Sequence, residues 1–323
     1  MLTDLNSPAS VVVPTAERAS EAVAGRTNLK SSPRLWVAAL RVHQWTKNLL
    51  IFFPLILAQK FHTSDIYPVM LGFIFFSMVA SATYLMNDLC DRNADRAHPT
   101  KCRRAIASGR ISVPVATTVA LALLITGTAG AAWLMRDFLV LVLCYIGITV
   151  AYSFWLKREP MFDVFTIGVL FVIRLVAGMI IIRNSISLWL SGFAFTFFMS
   201  LAMAKRHSEL TEVARISGTA PKGRGYECDD RELTRAFGVG CALIAFLIML
   251  LYFQFRAMET GLYDEVEVLY LAPVVVFAWT LRVWLMAHRG LLRDDPVIFA
   301  LKDRVSWAYG AAIVIIWLIA IPT

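Results

Sequence analysis

Residues 68–95 read PVMLGFIFFSMVASATYLMNDLCDRNAD. Up to Met86 this is an unbroken apolar run of about the length that crosses a bilayer core. It ends abruptly in Asn87, Asp88, Asp91 and Asp95, followed at once by Arg96, His98, Lys101, Arg103 and Arg104. The i, i+3, i+7 spacing predicts three carboxylates within roughly 60° of arc on one helix face. Carboxylates on a shared face repel each other, and a divalent cation relieves that repulsion. Mg²⁺ held by one or two carboxylates keeps several waters and takes further ligands from phosphates. The stretch therefore predicts a Mg²⁺-diphosphate site at a membrane boundary. Asp88 and Asp91 are the expected metal ligands, and Asp95 is expected to hold a second metal or orient a base. Asn87 supplies a neutral oxygen. The competing explanation is a solvated helix end whose acids simply pair with Arg92, Arg96 or Arg104.

Working outward, hydrophobic residues make up 58% of the 323, and the mean hydropathy is +0.65. Apolar runs of roughly 17 to 23 residues recur, near 42–58, 68–86, 113–135, 138–156, 161–182, 186–204, 236–254, 267–287 and 305–322. The fold expected is an all-α polytopic membrane protein of about nine transmembrane helices. Residues 1–33, rich in Ser, Ala, Thr and Glu and without a continuous apolar core, are expected to form a disordered tail before a membrane domain over 34–323.

The net charge of +8 reports orientation first. Connections on the side opposite the N-terminus hold Lys60, Arg136, Arg183 and Arg256, against twenty-five bases on the N-terminal side. This asymmetry predicts a cytoplasmic N-terminus and a cytoplasmic aspartate cluster. Bases divided among membrane loops do not form a nucleic-acid footprint. The five cysteines lack a C-x-x-C pair, so reduced, structurally minor thiols are expected.

Two long connections carry most of the remaining polar chemistry, 87–112 and 205–235. They predict a cap over a cavity open to the cytoplasm, where a charged soluble substrate meets a lipid-soluble one. A transporter would place broken helices or buried charges near the membrane midplane instead. Lys101, Arg103 and Arg104 form a plausible phosphate grip, since arginine suits bidentate phosphate recognition and lysine supplies a point charge. The ordinary excess of bases on this face is their competing explanation. Arg41, Gln44 and Asn48 share a helical face, and Lys47 beside Asn48 in an apolar context points to a polar site inside the bundle; Arg41 alone is equally a snorkelling residue. Tyr152, Lys157 and Asp163 bracket a short loop, with capping as the rival role for Asp163. Arg174, about three turns deeper, needs a counter-charge or an anionic ligand and must face the interior. Lys205 is either a site residue or the partner of Glu209 in a plain i, i+4 pair. Asp295 and Asp303, in the last loop, form either a further polar wall or headgroup contacts.

The pattern Asn87-Asp88-x-x-Asp91-x-x-x-Asp95 on the second of nine helices resembles the UbiA superfamily of membrane prenyltransferases. Further blocks resemble its decaprenyl-phosphate phosphoribosyltransferase branch: Arg41-x-x-Gln44-Trp45-x-Lys47-Asn48, His98-Pro99-x-Lys101-x-Arg103-Arg104-x-Ile106-Ala107-Ser108-Gly109, Tyr152-Ser153-x-x-Leu156-Lys157, Ile173-Arg174-x-x-Ala177-Gly178, Lys205-Arg206-x-x-Glu209-Leu210 and Asp295-Pro296-Val297-x-Phe299-Ala300-x-x-Asp303. Aromatic prenyltransferases carry a second aspartate-rich motif after helix six; here that region reads Lys205-Arg206-His207-Ser208-Glu209, which favours the phosphoribosyl branch. The resemblance implies helices around a central cavity with cytoplasmic cap loops, in a bacterial cytoplasmic membrane. It implies Mg²⁺-dependent transfer of 5-phosphoribose from phosphoribosyl pyrophosphate to a polyprenyl phosphate, releasing diphosphate. Asp88, Asp91 and Lys47 are then the catalytic set. Arg41, Gln44, Asn48, Asn87, Lys101, Arg103, Arg104, Tyr152, Lys157, Asp163, Arg174 and Lys205 are the substrate-binding set. Prenylation of an aromatic or other polar acceptor is the alternative within the superfamily, a lipid carrier the alternative outside it, and a homo-oligomer is compatible with either.

Overall fold

A computed structural model describes residues 32–98, 100–216, 225–257, 261–292 and 295–321, and every regular element in them is helical. Of the expected tail, 1–33, it therefore describes the last two residues alone. Pro99, Asp294 and the 217–223 centre of the second long connection also lie outside the described residues.

A short helix α1 (Pro33–Ala39) leads into a 3₁₀ helix over Val42–Phe52 and the five-residue α2 (Phe53–Leu57). The long helices follow: α3 (Thr63–Cys90), the short α4 (Arg92–Ala97), α5 (Val113–Leu134), α6 (Arg136–Phe154), α7 (Phe162–Ile181) and α8 (Leu188–Ile216). The chain continues with α9 (Asp230–Tyr252), α10 (Val266–Leu269), α11 (Leu271–His288), α12 (Pro296–Lys302) and α13 (Arg304–Ala320).

Among the described residues seven helices are long and apolar enough to cross a membrane, and α12 with α13, bent by 88°, makes an eighth if counted as one span. The segment 42–57 is not among them by length. Its 3₁₀ portion rises about 2.0 Å per residue instead of 1.5 Å, so its sixteen residues still extend about 30 Å. The nine expected segments are thus all helical, but length and composition support seven or eight spans. Two helices overrun into the polar connections, α3 to Cys90 and α8 to Ile216, carrying Asn87, Asp88 and Lys205 to Glu209 on helix.

Helices adjacent in sequence pack as neighbours, and α7 sits centrally, against the 3₁₀ helix, α2, α3, α6 and α8. Apart from Asp163, Thr166 and Arg174 its sequence is apolar, and much of its surface is buried against those neighbours. Gly178 permits the closest of these approaches, because a Cβ there would lie 2.2 Å from the Ile51 carbonyl oxygen. Phe76, Val142, Tyr145, Ile173, Ile51 and Ala177 form one core on this side of α7, and Leu175, Met179, Ala204, Met203 and Val283 another on the opposite side.

Candidate active site

The C-terminal parts of α3 and α6, the middles of α7 and α8, the start of the 3₁₀ helix and the start of α12 converge on a cavity of about 560 Å³. Eight bases line it (Arg41, Lys47, Lys101, Arg104, Lys157, Arg174, Lys205 and Arg206) against two carboxylates, Asp91 and Asp295. Gln44, Asn87 and Tyr152 line it too. Of the residues singled out from sequence, Asp88, Asp95, Asn48, Arg103 and Asp163 do not.

The aspartates separate because the helix breaks among them. Helix α3 stops at Cys90; Asp91 adopts φ −81° and ψ 0°, in the bridge region, and α4 begins at Arg92. The expectation of three carboxylates on one continuous face is therefore corrected. Asn87 and Asp91 face the cavity, with the Asn87 amide donating to Asp91 at 3.1 Å and the Lys157 ammonium 3.3 Å from the same oxygen. Asp88 is buried and accepts from Arg41 at 2.6 Å and Arg104 at 3.1 Å. Asp95 is buried and accepts from Arg104 at 2.8 Å. Arg104 thus ties two aspartates together, the pairing that the competing explanation of the acid cluster expects of it.

On the opposite wall Lys47 lies 2.8 Å from Asp295. Burial pushes the Asp295 carboxyl up, but the Lys47 charge and the Val297 amide outweigh it and hold it below its ordinary value. Asp295 thus belongs to the polar wall, whereas Asp303 caps α13 and takes a two-pronged bond from Arg282 at 2.7 and 3.0 Å.

Deeper in, Arg174 is 5% exposed and has no carboxylate partner among the described residues. Its Nε donates to Asn48 Oδ1 at 2.9 Å and a second nitrogen to the Leu170 carbonyl. Asn48 is fixed in turn by donating to Ser77 at 2.9 Å. The rings of Phe76, Tyr145 and Phe171 lie 5.4 to 5.6 Å from the guanidinium carbon, in cation–π range. Sequence reasoning missed Tyr145 and Thr149, which line the cavity above Arg174. Their signal was there: Tyr145, Thr149 and Tyr152 recur at i, i+4, i+7 along an otherwise apolar helix.

Asp163 is fully buried and holds the second long connection in place. It accepts from the Val164 amide at 2.8 Å and the Tyr226 hydroxyl at 2.6 Å, and Arg206 lies 2.9 Å from its other oxygen. Arg206 also pairs with Glu209, while Lys205 stands 3.9 Å from Glu209 with its chain in the cavity wall. Burial and the Asp163 charge push the Tyr226 hydroxyl far above its ordinary value, so it stays protonated as a donor.

The family model for the UbiA prenyltransferase family matches residues 48–302. The chain belongs to the UbiA prenyltransferase family. Among curated relatives, the uncharacterized protein y4nM of Sinorhizobium fredii is 44% identical over 88% of this chain, which spans about half (55%) of that relative. The nodulation protein NoeC of Azorhizobium caulinodans is 31% identical, over 83% of this chain and 87% of its own. The decaprenyl-phosphate phosphoribosyltransferase of Mycobacterium tuberculosis is 34% identical over 57% of this chain and 62% of its own. The fold matches a UbiA homologue from Archaeoglobus fulgidus bound to GPP and Mg²⁺, with TM-score 0.64 and 20% identity over 87% of this chain and 99% of that one. The chain is thus a multi-pass membrane protein of the UbiA prenyltransferase family.

Among the described residues no three His, Cys, Asp or Glu side chains form a cluster that could hold a metal. One or two carboxylates suffice for Mg²⁺ when phosphates complete its shell, and Asp91 with the Asn87 oxygen meets that description. Asp88 and Asp95, both committed to guanidinium groups, do not.

Proposed function

We propose that this protein transfers 5-phosphoribose from phosphoribosyl pyrophosphate to a polyprenyl phosphate, releasing diphosphate, on the cytoplasmic side of a bacterial inner membrane. The observation that carries the reading is the eight-to-two excess of bases over carboxylates in the cavity, because both substrates then bring phosphates. A prenyl diphosphate reacting with a neutral aromatic acceptor needs basic charge at one end alone. Here bases stand on both walls: Lys101, Arg104 and Lys157 beside Asp91, and Lys47, Lys205 and Arg174 across from them. The mycobacterial relatives' name, decaprenyl-phosphate phosphoribosyltransferase, supports a phosphoribosyl group and a polyprenyl phosphate as the reacting partners.

A Mg²⁺ held by Asp91 and Asn87 would neutralise charge on the leaving diphosphate. Lys157 and Lys101 add to that neutralisation, and the C1–O bond of the ribose breaks as its electrons pass to the diphosphate. Carbon one then has oxocarbenium character, as in glycosyl transfer. An oxygen of the polyprenyl phosphate forms the new bond to that carbon. A phosphate monoester is largely ionised near neutral pH, with a second pKa of about 6, so no general base is required. Catalysis on this reading is positioning plus electrostatic stabilisation. The lipid chain has an apolar route beside Lys47, a groove of about 250 Å³ lined by Leu50, Phe53, Phe171, Phe198 and Val297.

The test offers purified protein in detergent two substrate pairs in parallel. One is phosphoribosyl pyrophosphate labelled in the ribose with polyprenyl phosphate; the other is a prenyl diphosphate with an aromatic acceptor. Mg²⁺-dependent label in the lipid phase from the first pair supports the reading. Product from the second pair alone overturns it.

A further inference from the structure

A second cavity, of about 500 Å³, lies behind Asp88, between α1, the start of the 3₁₀ helix and the 103–110 loop. Its lining brings together five arginines, Arg34, Arg41, Arg103, Arg104 and Arg110, around the single carboxylate of Asp88. Arg34, Arg103 and Arg110 are exposed and Arg41 and Arg104 are half-buried, and Asp88 already accepts from the half-buried pair at 2.6 and 3.1 Å. Arg34 and Arg103 make no ion pair among the described residues, and Arg110 is held by two neutral groups, the Ser108 hydroxyl and the Arg103 carbonyl. The bridge Arg41–Asp88–Arg104 separates this space from the Asp91 cavity, so Asp91, Asn87 and Lys157 have no part in it.

We propose that this cavity is a second anion site, separate from the transfer site, and that it binds a phosphate group. The guanidinium fork matches two phosphate oxygens at once, and several forks around one space outweigh the desolvation of a doubly charged anion. Two sources share that chemistry. A free phosphate or diphosphate enters from water. A phospholipid headgroup enters from the bilayer surface, along the apolar edge supplied by Leu35 and Ala38 on α1. Because Arg41 and Arg104 line both spaces, an anion here competes with Asp88 for them and couples this site to the neighbouring one.

The experiment uses the full chain in detergent and the double variant Arg34→Gln/Arg110→Gln, which leaves every residue of the Asp91 cavity intact. Inorganic diphosphate is titrated calorimetrically into both, and retention of phosphatidylglycerol against phosphatidylcholine is read by native mass spectrometry. A fall of tenfold or more in diphosphate affinity, or loss of one class of diphosphate sites, assigns the site to a free anion. Loss of bound phosphatidylglycerol with unchanged diphosphate binding assigns it to a lipid headgroup. Unchanged diphosphate binding together with unchanged lipid retention overturns the proposal. Arg34→Lys/Arg110→Lys, which keeps the charge, is expected to keep most of the binding. Arg103→Gln alone lowers it several-fold and replaces the double variant if that fails to fold.

Discussion

Arg41 reaches Asp88 across 47 residues of sequence and donates to it at 2.6 Å. The backbone at Arg41 is left-handed, with φ 50° and ψ 44°, and this turn between α1 and the 3₁₀ helix aims the guanidinium at α3. A non-glycine residue in that region is uncommon, and the two bonds to Asp88, from Arg41 and Arg104, hold it there. Asp88 and Asp91 therefore have different partners despite their shared motif.

This separation gives the first prediction. Asp91→Asn removes the one aspartate of the motif that faces the cavity and should lower the transfer rate by about 10²-fold or more, in line with loss of a preorganised electrostatic group. Asp88→Asn should instead lower stability by about 1–3 kcal/mol, the range for losing bonds to charged partners. It should leave more activity than the Asp91 change. Parallel rate measurements and thermal melts check both. Equal loss of rate in the two variants with unaltered melting would reverse the assignment.

Much of this was legible in sequence where the signal is local. The spans follow from apolar runs, and the start of α5 at Val113 and the limits of α7 lie within a residue or so of their expected positions. The division between Asp88 and Asp91 was not legible, because it depends on the break at Asp91 and on a partner 47 residues away. Asp163 shows the same limit. Its polar character and N-terminal position were visible, but Tyr226, which binds it from 63 residues downstream, was not. Tyr145 and Thr149 were overlooked for another reason, since two polar groups in an apolar helix barely alter its mean hydropathy.

The Lys47–Asp295 pair sets an acid dependence. The Asp295 carboxyl is held below its ordinary value, so its contribution to stability is fully present above the unfolded carboxylate range near 4. It is lost as pH falls through the lower folded value. Lys47→Met removes the charge that depresses it and leaves the opposing effect of burial. The acid limb of melting temperature against pH should then be shallower in the variant, because its carboxyl no longer binds protons more weakly in the folded than in the unfolded state. Coincident acid limbs would show that the pair does not hold that carboxyl down.

Arg174 is expected to act through charge and shape together. Arg174→Lys keeps the charge but loses the fork that spans Asn48 and the Leu170 carbonyl, along with the flat guanidinium beside three rings. Hydrogen bonds to charged groups are worth about 1.5–3 kcal/mol, so KM for one of the phosphate substrates should rise about tenfold or more with a smaller change in kcat. Arg174→Leu should lose that binding as well while keeping the bundle folded, because an apolar side chain suits the aromatic surroundings. A KM unaltered in both variants would place Arg174 outside the substrate site.

Gly178 tests whether helix packing positions the polar site. A Cβ at 178 would stand 2.2 Å from the Ile51 carbonyl oxygen and 3.0 Å from its carbon, and these are backbone atoms that no rotamer change can move aside. Gly178→Ala must therefore push the 3₁₀ helix away from α7, at a cost of about 1–3 kcal/mol for an overpacked contact. The displaced helix carries Asn48, whose side chain bonds both Ser77 and Arg174 at 2.9 Å, and Lys47, bonded to Asp295. A shift of a few tenths of an ångström or more at Ile51 loosens all three bonds at once. The variant should melt at lower temperature and also show a raised KM resembling that of Arg174→Lys. The double variant Gly178→Ala/Arg174→Lys should then lose less binding than the two single losses added together, because both act through the same Asn48–Arg174 contact. Strict additivity would show that the two residues act independently.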